Sequence, residues 1–358
     1  MKSQTLSFKP ASRSVYMIPQ LFGTSFILFV VLVLVLVGCG DEDDHSRLLQ
    51  AAEGGDVSAM IELSDAYFEG IGVEKDLVES ARWTRKAAEL GDLNAMTNLG
   101  HCYTTGSGVS QDFEEAVRWF RQAAERSEPL AMSNLGVCYR MGRGVPQDVE
   151  EAARWTRQAA ERGELHGMVD LGWCYKTGTG VSQDFDEASR WYRQAADLGD
   201  IEAMRRLGDL YREGLGSNQN LAESARWYRQ AAELGDSHAM GNLGVCYADG
   251  DGVPQDMVEA MRWYRQAAEL NDANAMYNLG IHYQYGEGVA QDYEEAIRWY
   301  LQSAELDLPR AMYKVGLFYQ HGIGVQKDYE ISISWLRKAA RDNNESAQEY
   351  LYSIGETW

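Results

Sequence analysis

Tryptophan sets the frame for this chain. It stands at Trp83, Trp119, Trp155, Trp191, Trp227, Trp263, Trp299 and Trp335, each 36 residues after the last. Tyrosines keep step at Tyr67, Tyr103, Tyr139, Tyr175, Tyr211, Tyr247, Tyr283 and Tyr319, and a G-x-G pair follows each, from Gly70 and Gly72 to Gly322 and Gly324. A fixed period in this range belongs to chains built from stacked supersecondary units, where no unit can bury its apolar face alone. The 358 residues are therefore read as an array and not as two or three globular domains.

Each unit reads as two helices. At 100° per residue, Ala95, Met96, Leu99, Gly100, Cys102 and Tyr103 fall within one broad stripe, which predicts a first helix packed on that face. Gly100 near the middle of the stripe is expected to let a neighbouring helix approach closely, since glycine inside a helix otherwise costs about 1 kcal/mol. The G-x-G-V turn breaks the chain. Asp112-Phe113-Glu114-Glu115 opens a second helix with the D-x-x-E spacing of a capping box, seen again at Asp76 and Glu79, Asp148 and Glu151, Asp184 and Glu187, Asp256 and Glu259, and Asp292 and Glu295. Ala116, Trp119 and Ala123 form its apolar stripe, with Arg118 and Arg121 expected in water. Residues 48–56 look like a half-unit capping the amino end, and 345–358 like a capping helix at the other.

The unit A-M-x-x-L-G-x-x-Y-x-x-G-x-G-V-x-x-D, followed by A-x-x-W and an Ala-Ala pair such as Ala123-Ala124, resembles the Sel1-like repeat, a relative of the tetratricopeptide repeat. Eight copies cover residues 57–344. The resemblance implies an all-α fold, a right-handed α/α superhelix that serves as an adaptor or scaffold. Many bacterial members are exported and organise envelope machinery or meet host proteins. Asn220 in place of Asp, Gly216-Ser217 in place of Gly-Val, Gly167 in place of Ala, and Ile331 in the last capping box depart from the pattern. They suggest an irregular fifth unit and a weaker eighth.

The first 38 residues read as an address. Leu21 to Gly40 carry no charge, Phe26 to Val37 is an unbroken apolar run, and Lys2, Lys9 and Arg13 precede it. Leu36-Val37-Gly38-Cys39 resembles the bacterial lipobox, which implies cleavage before Cys39 and lipid on its sulfur, with residues 39–47 as an acidic tether. The alternative is an uncleaved signal anchor with Cys39 incidental, because the uncharged stretch is just long enough to span. Both readings place the repeats outside the cytoplasm, and Gly40 leans toward the periplasmic side of an outer membrane. The formal charge of -21 becomes -24 once those three bases are removed (30 basic minus 54 acidic). Nucleic acid, which needs a net basic face, is excluded as a partner. The acids fit a basic or neutral protein partner, or simply keep a long surface soluble.

In tetratricopeptide-like superhelices the side of the first helix opposite the packed stripe lines a concave groove. Here those positions hold Thr97 and His101, Ser133 and Val137, Val169 and Trp173, Arg205 and Asp209, Gly241 and Val245, Tyr277 and Ile281, and Tyr313 and Leu317. Trp173, Tyr277 and Tyr313 are the candidate anchors for a protein or peptide, with Arg205, Asp209 and His101 beside them. The aliphatic members can equally pack against a preceding helix. Asn98, Asn134, Asn242 and Asn278 edge the stripe, where their amides would hold a peptide backbone or make structural hydrogen bonds.

The sequence offers no catalytic set, cofactor motif or metal site. Cys102, Cys138, Cys174 and Cys246 recur one unit apart or more, too far for disulfides, and read as small buried hydrophobes. The six histidines lack ligand spacing. Asp249-Gly250-Asp251-Gly252 coincides with the repeat's own turn. So does Lys176-Thr177-Gly178, and no Ser-x-x-Lys accompanies it. The reading that follows is a non-enzymatic, lipid-anchored scaffold for proteins. A cell-wall glycan binder or envelope hydrolase-associated protein, using acids such as Asp209 beside aromatics, is the alternative.

Overall fold

The computed structural model describes residues 41–216 and 219–358, and among them it contains 18 α-helices and no strand. The all-α repeat organisation expected from the sequence is present. The signal-peptide segment 1–38 and Cys39 lie outside the described residues. No helix of the described residues is long and apolar enough to cross a membrane.

Among the described residues two compact units are distinguished, one ending at Leu90 and the other Gly91–Trp358. The first contains α1 (Asp41–Glu53), α2 (Val57–Glu69) and α3 (Leu77–Glu89). Helix α1 is in register with the second helix of a repeat, so the acidic run read as a tether belongs to its first turn and the cap is longer than 48–56. The second unit contains α4 (Leu93–Thr105), α5 (Phe113–Glu125), α6 (Pro129–Met141), α7 (Val149–Glu161), α8 (Leu165–Thr177), α9 (Phe185–Asp197), α10 (Ile201–Glu213), α11 (Leu221–Glu233), α12 (Ser237–Asp249), α13 (Met257–Glu269), α14 (Ala273–Tyr285), α15 (Tyr293–Glu305), α16 (Pro309–His321), α17 (Tyr329–Arg341) and α18 (Glu345–Ser353). Even-numbered members up to α16 are the first helices of their pairs. Within this unit each helix packs on its chain neighbours, and α6 also touches α8.

Local chemistry ends every helix. Asp112 Oδ1 accepts from the backbone N–H groups of Glu114 and Glu115 at 3.0 Å each. The other half of the predicted capping box is not made. Asp112 N–H donates across the turn to the Tyr103 carbonyl at 2.9 Å, so Glu115 is released and pairs with Arg118. Asn220 and Asp328 still cap, through Glu223 N–H at 3.1 Å and Ile331 N–H at 2.9 Å, so these departures leave the helix starts intact. Cap, turn and close are set by residues a few positions apart.

The core corrects the sequence reading at one position. The side chains sealed between the helices of a pair are Phe120, Tyr192, Tyr228, Tyr264 and Tyr300, each 0–2% exposed, and each is the residue after a ladder tryptophan. Trp191, Trp227 and Trp263 are buried too, but Trp119, Trp155, Trp299 and Trp335 are only half-buried. The reason is the helix glycine. A methyl group built on Gly172, Gly208 or Gly244 would sit 2.6–2.7 Å from the ring of Tyr192, Tyr228 or Tyr264, so each ring lies flat on bare backbone. Glycine also stays where Thr156 or Leu336 replaces the ring, a methyl group on Gly136 or Gly316 meeting that side chain at 2.6 Å. In the first unit Thr84 takes the ring's place and Ser64 the glycine's, and their hydroxyls bond at 2.7 Å.

Arg121 is also corrected. It does not face water alone: it is half-buried and donates to the Tyr139 hydroxyl at 3.0 Å. The same link joins Arg157 to Tyr175 at 2.9 Å, Arg193 to Tyr211, Arg229 to Tyr247 at 2.7 Å and Arg265 to Tyr283 at 3.2 Å, each crossing from one pair to the next.

Candidate functional site

The candidate site is the side of the first helices in the second unit that carries Trp173, and its members are held rather than free. Position sets this. A first helix turns its alanines, Met and Leu into the core, which leaves the residue after Met and the residue after the helix glycine facing away. The structure places the former against the next pair. Thr97 is buried and its Oγ1 donates to Glu128 Oε2 at 3.2 Å, while Arg205 Nε donates to Asp236 Oδ2 at 3.3 Å. Both acids are caps of the following first helix.

Trp173, on α8, packs its inner part against the core together with Val169 and is half-buried. The Arg140 guanidinium, from α6, lies 5.0 Å from the ring centroid and 3.9 Å from Asp170 Oδ1. Burial raises the Asp170 carboxyl above the usual range, with Arg140 opposing. Arg140 therefore braces the indole from one side and the carboxylate from the other, presenting a pre-set aromatic edge. Sequence reasoning missed this arginine. The sign was its position, which holds Thr104, Lys176, Arg212, Ala248, Gln284 and Gln320 elsewhere and so owes nothing to the repeat.

Tyr277 and Tyr313 lie against a different stretch of core, in adjacent pairs, both half-buried. The Arg310 guanidinium sits 4.5 Å from the Tyr277 centroid. Trp173 is three pairs away from Tyr277 and packs on a different stretch of core, so the three anchors do not share a pocket. His101 is exposed, with Asn134 Nδ2 at 3.0 Å from its Nε2. Asn98, Asn242 and Asn278 are half-buried at the stripe's edge. Asp209 is occupied: it accepts the Tyr228 hydroxyl at 2.7 Å, and burial together with that carboxylate pushes Tyr228 well above the ordinary phenol range. A carboxylate already taken by a core phenol is poorly placed to bind sugar hydroxyls, which weakens the glycan reading.

Cys138, Cys174 and Cys246 are buried and free, and burial raises each thiol to about 11. Thiols held protonated are poor nucleophiles and poor ligands. Among the described residues no group of three or more His, Cys, Asp or Glu is placed to hold a metal ion.

The Sel1 repeat family model matches at residues 57–92, 93–128, 129–164, 165–200, 201–236, 237–272, 273–308 and 309–344. A solved protective antigen of uropathogenic Escherichia coli with an SLR fold is similar over 87% of this chain and 67% of its own, at 38% identity and a TM-score of 0.72. A Sel1 repeat protein from Oxalobacter formigenes is similar over 97% of this chain and 98% of its own, at 28% identity and a TM-score of 0.69. Among curated proteins no relative matches. Sel1-repeat proteins generally mediate protein–protein interaction and are typically non-enzymatic.

Proposed function

Since the chain belongs to the Sel1 repeat family, with eight matched repeats, we propose that it is an exported scaffold, held at the bacterial envelope by lipid on Cys39, that seats protein segments on its first-helix face. The observation that carries this reading is the braced indole of Trp173. Equivalent positions hold His101, Val137, Asp209, Val245, Ile281 and Leu317, so the repeat does not demand an aromatic there. Arg140 nonetheless braces this one from 5.0 Å, and the indole stays half-buried. Rigid aromatics bind with little loss of conformational entropy, and such residues dominate many interfaces.

Tyr277 and Tyr313 form a second contact point several helix pairs along, which suits an extended partner or a large subunit rather than a small ligand. The lipobox-like Leu36-Val37-Gly38-Cys39 after an apolar run supports the anchor and an address outside the cytoplasm, with the outer membrane's periplasmic side favoured.

Crosslinking in intact cells, followed by identification of bound proteins, tests the binding face: Trp173→Ala should remove the main crosslinked partner while leaving the helical spectrum unchanged. An unaltered partner set in Trp173→Ala with Tyr277→Ala would defeat it. Mass spectrometry of the mature amino terminus tests the anchor, expecting acylated Cys39, and a chain that still begins upstream of Cys39 would refute it.

A further inference from the structure

The first helices do not share the acidity of the chain. The seven from α4 to α16 together carry seven Lys or Arg against five Asp or Glu, although the whole chain has a formal charge of -21. The imbalance is greatest on α16, which has Arg310 and Lys314 and no acid. These two bases are four residues apart, on the side of the helix turned away from the core, with Tyr313 on the same side.

Both cations lack a counter-charge where the repeat otherwise supplies one. Lys314 is half-buried and makes neither ion pair nor hydrogen bond among the described residues. Two other charged residues hold its repeat position in the second unit, and each has a partner: Asp170 has Arg140 at 3.9 Å and Arg206 has Glu202 at 3.0 Å. Arg310 stands at the repeat position of His166, Glu202 and His238, which pair with Glu164, Arg206 and Asp272. Arg310 meets no carboxylate. It donates to Asn274 Oδ1 at 2.6 Å and lies 4.5 Å from the Tyr277 ring centroid, so the guanidinium is held in place by neutral groups.

A half-buried charge without a counter-charge has lost hydration and gained nothing in exchange. Burial pulls the Lys314 ammonium below the ordinary lysine range, and no carboxylate lifts it back. The nearby acid Glu349, on α18, joins burial and Tyr350 in raising the Tyr313 phenol, but it pairs with neither base. An incoming carboxylate would therefore meet a cation already partly desolvated and a second one already positioned, which lowers the cost of forming the contact. A bilayer of anionic lipid is a poorer occupant, because it would bring its whole charge against a chain of formal charge -21, whereas one protein segment brings only its own acid.

We infer that this part of the first-helix face takes an acidic protein segment, with an Asp or Glu carboxylate of the partner meeting Lys314 and Arg310 beside Tyr313 and Tyr277. The inference rests on the first helices being the binding face and adds the chemistry of what they bind.

The test uses the purified full chain and a displayed library of random short peptides, selected at low salt. The expected result is a set of binders enriched in Asp and Glu, whose affinity falls with salt and at least tenfold in a variant with Arg310→Glu and Lys314→Asp. Glu202 and Asp170 occupy the same repeat positions, so the fold accepts acids there, and circular dichroism checks it. Binders without acid enrichment, or acidic binders that hold equally to the charge-reversed variant, overturn the proposal. If such binders are nevertheless lost in Trp173→Ala with Tyr277→Ala, the first-helix face stands and only the carboxylate fails. If that variant also binds them unchanged, the face itself is wrong. Recovery of no peptide overturns the proposal too, as does Lys314-dependent self-association in the ultracentrifuge or Lys314-dependent binding to phosphatidylglycerol vesicles, since each of the last two names a different occupant.

Discussion

Two glycines in left-handed turns offer a matched measurement of how one repeat is locked on the next. Gly180 has φ 70° and Gly199 has φ 94°, so alanine at either adopts a backbone that L side chains disfavour, at about 1–2 kcal/mol. Their surroundings differ. Nothing lies within 4 Å of a methyl group built on Gly199, whereas one built on Gly180 sits 2.6 Å from the Val149 carbonyl carbon, 2.9 Å from Ala153 Cβ and overlaps the Val149 oxygen. The chain has already run the control. Ser127, Asn271, Asp307 and Asn343 occupy Gly199's repeat position with φ between 59° and 69°. Every second G-x-G glycine is retained, and Gly144, Gly216, Gly252 and Gly324 each abut backbone of the preceding pair. Backbone cannot rotate aside as a side chain does, so Gly180→Ala should cost about 3 kcal/mol beyond the shared strain, the upper end of overpacking. At roughly 2–4 °C per kcal/mol for a body of this size, that is a further fall of about 6–12 °C in Tm relative to Gly199→Ala. Thermal melts followed by far-ultraviolet circular dichroism read it directly. Equal melting of the two variants would show that the turn does not set the inter-repeat step.

Alkali should unfold the chain through its buried phenols. Burial holds Tyr192, Tyr228, Tyr264 and Tyr300 well above the 10.0 of a free phenol, so the unfolded chain loses these protons first and stability falls as pH rises past about 10. Phenolate absorbance from these four should appear together with loss of helix, and smooth titration of all tyrosines in a folded chain would contradict the burial. Arg157→Leu, which removes the 2.9 Å bond to Tyr175, should cost about 1 kcal/mol. Leu301 already holds the arginine's position one pair before Tyr319, so the variant should fold and melt only slightly earlier.

The 36-residue step, the helix pairs, the aspartate caps and the glycine turns were all decided within a few neighbouring residues, and the sequence by itself determined them. Helix starts and ends depend on local hydrogen bonds, and Asp112, Asn220 and Gly106 each act on residues nearby. What the sequence left open is how each second helix is rotated about its own axis. Trp119 and Phe120 both fall within reach of the apolar stripe, and only the distance to bare backbone at Gly100 put the Phe120 ring inside and left Trp119 half-buried. The same tertiary contact spent Asp209 on the Tyr228 hydroxyl, turned Arg121 to Tyr139 and braced Trp173 with Arg140.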